Sequence, residues 1–254
     1  MKKPDQPHAL TITAVSKNFS GVQAVRSVSF EVPVGERRAL IGPNGAGKTT
    51  LFNTIAGELV PNEGSIHFFG IDITRKSVQK RANLDLGRTY QISQLFLDLT
   101  VEENLYLAGS GGATKAFRFF GPWKNNKAEL DWVQEVTNQV GLHKYISSKV
   151  SELSHGLQRQ LEIGMALAMH PRLIMLDEPA AGLSPSERII LTDLIKKLPR
   201  DVTLILIEHD MEIVLDIADR ITVMYHGSVI AEGTPGEIRS NVEVKKVYLG
   251  SSYV

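Results

Sequence analysis

The chain has 254 residues, with 28 Lys plus Arg balanced against 28 Asp plus Glu, 43% hydrophobic residues and no cysteine. That composition is ordinary for a globular protein; it supplies no basic excess for nucleic acid and excludes disulfides and cysteine-ligated metal, which suits the cytosol. No stretch approaches the roughly 18 apolar residues that span a bilayer, because the best one, Gly164 to Leu176, is interrupted by His170, Pro171 and Arg172.

From Leu10 to Val34 the pattern is strand-like, with alternation over Ser27 to Val32 and a turn signal from Pro33 to Glu36. Lys2 and Lys3 precede Pro4, Asp5, Pro7 and His8 rather than an apolar signal core. Arg38 to Ile41 ends a strand. The run Gly42-Pro43-Asn44-Gly45-Ala46-Gly47-Lys48-Thr49 then meets the full G-x-x-x-x-G-K-[ST] phosphate-loop pattern. Its glycines let backbone N–H groups converge on phosphate oxygens. Lys48 reaches the β and γ phosphates, and the Thr49 hydroxyl completes a Mg²⁺ shell. Thr50 to Ile55 continues as a helix whose N-terminal dipole favours an anion. The expectation is a site for a nucleoside triphosphate.

Ser65 to Phe69, between Gly64 and Gly70, reads as a further strand. Residues 95 to 142 read mostly as helix, including Val101 to Leu107 and Ala128 to Val140, broken at Gly109-Ser110-Gly111-Gly112. Ser154 then caps a helix with the stripe Leu157, Leu161, Met165 and Ala168, ended by Pro171. A serine and a glycine at that helix start make a second anion site.

Leu173 to Leu176 and Thr203 to Ile207 are short apolar runs of the kind found in buried parallel strands. Ser186 to Leu198 reads as the crossover helix between them. Asp177 and Glu178 end the first run, where one carboxylate can face Mg²⁺ and the next can polarise an attacking water. His209 follows the second run. The coarse reading is an α/β nucleotide-binding core with an N-terminal antiparallel sheet and a helical insertion near 93–160.

The phosphate loop, the Leu153-Ser154-His155-Gly156-Leu157-Gln158 helix start and the acidic strand, in this order, resemble the ATP-binding subunits of ABC transporters from about Leu10 to Gly250. The resemblance implies a P-loop NTPase (RecA-like) core spanning 9–92 and 161–254, an antiparallel β subdomain within it, and a helical signature subdomain over about 93–160. It implies ATP and Mg²⁺ as cofactors, with Gly42 to Thr50 binding the nucleotide and Phe19 stacking on adenine. Thr49, Gln91 and Asp177 would serve the metal, and Glu178, His209 and Gln91 the hydrolysis. Ser154, His155 and Gly156 would face the ATP held by a partner subunit, and Gly182, Leu183 and Ser184 would lie in the loop that crosses the dimer interface. His155 and Leu157 stand where the general pattern has glycine and glutamine, and Ser184 where it has aspartate. Leu157 removes a polar side chain at its place.

Local matches narrow the branch. Leu161 to Ala168, Glu178 to Pro185, and Glu232-Gly233-Thr234-Pro235 with Val247-Tyr248-Leu249-Gly250 are similar to branched-chain amino-acid uptake systems. So is the insertion between Leu107 and Glu129, where Phe117, Phe119, Phe120 and Trp123 form a packing patch, a local cover or a partner contact. The expected partners are a second copy or a homologous ATPase subunit, transmembrane permease subunits and, indirectly, a solute-binding protein, with no nucleic acid. The expected place is the cytoplasmic face of the inner membrane, peripheral through the permease, with no regulatory domain after Gly250. Rival readings are an ATPase of a urea or short-chain amide importer, one of a lipopolysaccharide export system, and, more remotely, a soluble ABC ATPase. A GTPase is disfavoured because Asn126-Lys127-Ala128-Glu129 ends in the wrong residue for guanine recognition.

Overall fold

The computed structural model describes residues 8–89, 95–110 and 127–249. Two sheets organise it. In the first, β1 (His8–Phe19), β2 (Val22–Pro33), β4 (Glu63–Phe68) and β5 (Ile71–Asp72) lie in the order β2-β1-β4-β5, antiparallel throughout. In the second, β3 (Arg37–Ile41), β6 (Leu86–Arg88), β7 (Leu173–Asp177), β8 (Thr203–Ile207), β9 (Arg220–Tyr225) and β10 (Ser228–Gly233) lie in the order β10-β9-β3-β8-β7-β6. All its pairs are parallel except the β9–β10 hairpin.

The apolar runs are explained by burial on both faces of this second sheet. On one face Leu40, Leu173, Met175, Ile205, Ile207 and Met224 join the antiparallel sheet and α1 (Lys48–Ala56) in a single core. On the other, Ile174, Leu176, Leu204 and Leu206 meet α3 (Val101–Gly109), α4 (Lys127–Gln139), α5 (His155–Ala168), α6 (Pro185–Lys197) and α7 (Met211–Ile217). Ala39, Ile41, Ile221 and Val223 pack with α8 (Pro235–Ser240) and α9 (Val242–Leu249) through Ile238 and Val244. Among the described residues the remaining α-helix is α2 (Val78–Ala82), with single 3-10 turns at His143–Tyr145 and Val150–Glu152.

Helix α5 runs unbroken through residues 160 and 161 and belongs to the same apolar cluster as β7 and β8. Its buried stripe is broader than the sequence pattern, since Ile163 and Leu167 are buried while Leu157 and Met165 are only partly so. Ser154 caps it by accepting from the Leu157 N–H. Thr100 with Glu103 and Ser184 with Glu187 form reciprocal capping boxes at the starts of α3 and α6.

Candidate nucleotide site

Register places the site. Leu40 pairs with Ile207, and Ile207 pairs with Asp177, so β3, β8 and β7 end level along one edge of the sheet. The loops that follow them, from Gly42, from Glu208 and from Glu178, therefore leave the sheet side by side. Ligands of open α/β sheets bind at this carboxyl edge.

The phosphate loop is shaped by close backbone approach. A methyl group on Gly42 would lie 2.2 Å from the Met224 carbonyl oxygen, and one on Gly47 would lie 2.3 Å from that of Ala24. Gly45 (φ +79°) faces open space. No side chain caps α1, whose N-cap is Gly47, so its first-turn N–H groups are available to an outside anion. Lys48, 8% exposed, curls back to donate to the carbonyls of Gly42 (2.7 Å) and Pro43 (3.1 Å). Burial lowers its pKa, while Glu178 and Asp177 pull the other way. Ala46 is buried and accepts from the Gly227 N–H, bracing the loop on the β9–β10 turn. Asn44 and Thr49 are exposed, and Pro43 and Thr50 are half-buried.

The acidic pair occupies two different environments. Asp177 is buried, and this burial raises its pKa; Arg88, 4.0 Å away, works against the shift. Glu178 takes φ +46°, a left-handed conformation that costs a non-glycine residue about 1–3 kcal/mol. Its N–H is fixed to the Ile207 carbonyl at 2.9 Å. Its carboxylate lies 3.8 Å from Nδ1 of His209, a side chain that is 62% exposed.

Glu208 had no role in the sequence reading, yet it holds this pair of loops together. It is 1% exposed, and its carboxylate accepts from the N–H groups of Ala180 (3.1 Å), His209 (3.0 Å) and Asp210 (3.4 Å). The available signal is a carboxylate directly after four apolar strand residues, Leu204 to Ile207. Arg188 makes a further link, donating to the Leu183 carbonyl at 3.1 Å and to Asp210 at 3.2 Å.

A second group gathers around the start of α5. Ser154 and His155 are exposed and Gly156 is buried. A methyl group on Gly182 (φ +76°) would meet Nε2 of His155 at 3.5 Å. Leu183 is buried, and Ser184 caps α6. Leu157 packs on the apolar core, which gives the departing residue a structural use. Phe19 is 43% exposed at the end of β1, with the Lys17 ammonium 5.3 Å from its ring centroid. Its hairpin returns through Ala24, whose carbonyl abuts Gly47. Gln91 and the aromatic residues Phe117 to Trp123 lie outside the described residues.

The ABC transporter family model matches residues 25–181, more than half of the chain. The chain belongs to the ABC transporter family. A second model, described as branched-chain amino acid ATP-binding cassette transporter, matches residues 228–254 of this ABC protein. Among its relatives, the high-affinity branched-chain amino acid transport ATP-binding protein BraF of Pseudomonas aeruginosa is 38% identical, covering 96% of this chain and 98% of its own. The corresponding LivG protein of Salmonella typhimurium is 39% identical with the same coverage. A nucleotide-free ATP-binding cassette from an ABC transporter superposes with a TM-score of 0.80 at 33% identity, covering 96% of this chain and 99% of that one. A cassette in its ADP conformation gives 0.81 at 32% identity with the same coverage.

As an ABC ATPase the chain binds nucleotide and hydrolyses ATP. No described helix is long and apolar enough to cross a membrane.

Proposed function

We propose that this chain is the ATP-hydrolysing subunit of a branched-chain amino-acid importer. Two copies, or one copy and a homologous subunit, enclose ATP and drive separate permease subunits at the cytoplasmic face of the cell membrane; a solute-binding protein delivers the cargo. The observation that carries the reading is the level ending of β3, β8 and β7, which sets the phosphate loop beside Glu178 and His209. The names of the relatives and the match over 228–254 support the cargo class.

In this mechanism the first-turn N–H groups of α1 and the Lys48 ammonium receive the phosphates. Lys48 exchanges its contacts with the Gly42 and Pro43 carbonyls for phosphate oxygens. Phe19 stacks on adenine. Thr49 and Asp177 offer a hydroxyl and a carboxylate, hard oxygen donors of the kind Mg²⁺ takes together with phosphate oxygens. Bound there, Mg²⁺ would neutralise charge on the phosphates.

Glu178 takes the proton of the attacking water, and His209 orients that water toward the γ phosphate. Gln91 reports the nucleotide state to the permease. Ser154, His155 and Gly156 face the ATP of the partner subunit, and Gly182, Leu183 and Ser184 lie along the interface. The helical signature subdomain, about 93–160, carries Ser154, His155 and Gly156, with α5 as the strut it shares with the core.

The test is transport. In membranes carrying the complete complex, Glu178→Gln should abolish ATP-dependent uptake of leucine, isoleucine and valine. Uptake of urea or short amides alone by the wild-type complex would overturn the cargo assignment.

A further inference from the structure

The N-terminus of α5 already holds an anion. One oxygen of the Glu187 carboxylate accepts from the Gly156 N–H at 3.2 Å and from the Ser154 hydroxyl at 3.4 Å. The other oxygen accepts from the Ser184 N–H at 3.0 Å and from its hydroxyl at 2.7 Å. A methyl group on Gly156 would strike that first oxygen at 2.6 Å, so the carboxylate is seated against the glycine.

We propose that Glu187 is a built-in occupant of the signature anion site, which the partner's triphosphate must displace before two chains can close. This rests on the reading that Ser154 and Gly156 serve the partner's ATP. Both ligands are anions that seek the same N–H and hydroxyl donors, so they cannot hold them together. The glutamate contacts Ser184 as well, so its release frees one oxygen from α5 while the other stays on the interface loop. Glu187 is a positioning residue: it sets the ATP concentration at which closure begins.

Glu187→Gln is the informative substitution. Glutamine still completes a capping box with Ser184, so α6 keeps its start, and the charge that competes with phosphate is gone. The experiment measures ATP-dependent dimerisation by sedimentation in a Glu178→Gln background, with and without Glu187→Gln. Loss of one charge-assisted contact at an exposed site is expected to lower the ATP concentration for half-dimerisation by about threefold to tenfold. Affinity of the monomer for ATP, read separately by fluorescent nucleotide titration, should not move.

An unchanged or raised half-point in the double variant would overturn the inference and leave the shared-site reading standing. Failure of Glu178→Gln alone to dimerise would instead overturn that reading. Should Glu187→Gln melt well below its parent, Glu187→Asp supplies the check. It keeps a carboxylate in the first turn of α6 but is one methylene too short to reach both Ser184 and the α5 donors, and the half-point should again fall. A rise there contradicts the proposal.

Discussion

Glu178 sits at φ +46° because the chain must turn sharply after β7 while its N–H stays bonded to Ile207. That arrangement puts its carboxylate near His209 and away from the apolar strand ends. Glu178→Gln keeps the shape and removes the proton acceptor, so ATP binding should persist while turnover falls by about 10²–10⁴-fold, measured as phosphate release. Lys48→Ala should instead weaken nucleotide binding itself, seen in a direct titration. Glu208 works differently, since it is buried and touches no described polar group of the phosphate loop. Glu208→Ala leaves the N–H groups of Ala180, His209 and Asp210 without their acceptor, and a loss of about 2–4 kcal/mol in denaturant unfolding is expected. These two glutamates also show what sequence could reveal. Glu178 announces itself by following an acidic strand end. Glu208 becomes meaningful only when the fold brings Ala180, 28 residues earlier, against it.

At the scale of elements, strands β3, β7 and β8 carry the site because their apolar side chains divide between two cores. Leu176→Ala should cost about 2–5 kcal/mol, since Leu176 is fully buried under the helices. Gly42→Ala has a different consequence. Its methyl group would have to move the Met224 backbone, so the phosphate loop should lose ATP affinity with little change in far-ultraviolet circular dichroism. These strongly patterned elements were readable from the chain alone, as were α6 and the strand-like span from Leu10 to Val34, which the fold divides into β1 and β2. Several others were not. β6 has three residues and owes its strand character to pairing with β7. α2 has five residues and buries only Arg81 among its side chains, while β10 is half-exposed along most of its length. Short elements of this kind are stabilised by neighbours, and no period of hydrophobicity marks them.

For the whole molecule, the proposed pairing sets the phosphate loop of one copy against the start of α5 in the other. Ser154→Arg should then abolish hydrolysis while a single chain still binds ATP, because the bulky cation stands in the partner's site. The most direct measurement is the mass of the Glu178→Gln protein in solution, with ATP and with ADP, by sedimentation equilibrium. The expected result is twice the chain mass with ATP and the single mass with ADP. A single mass with saturating ATP, in the presence of its permease as well, would contradict it.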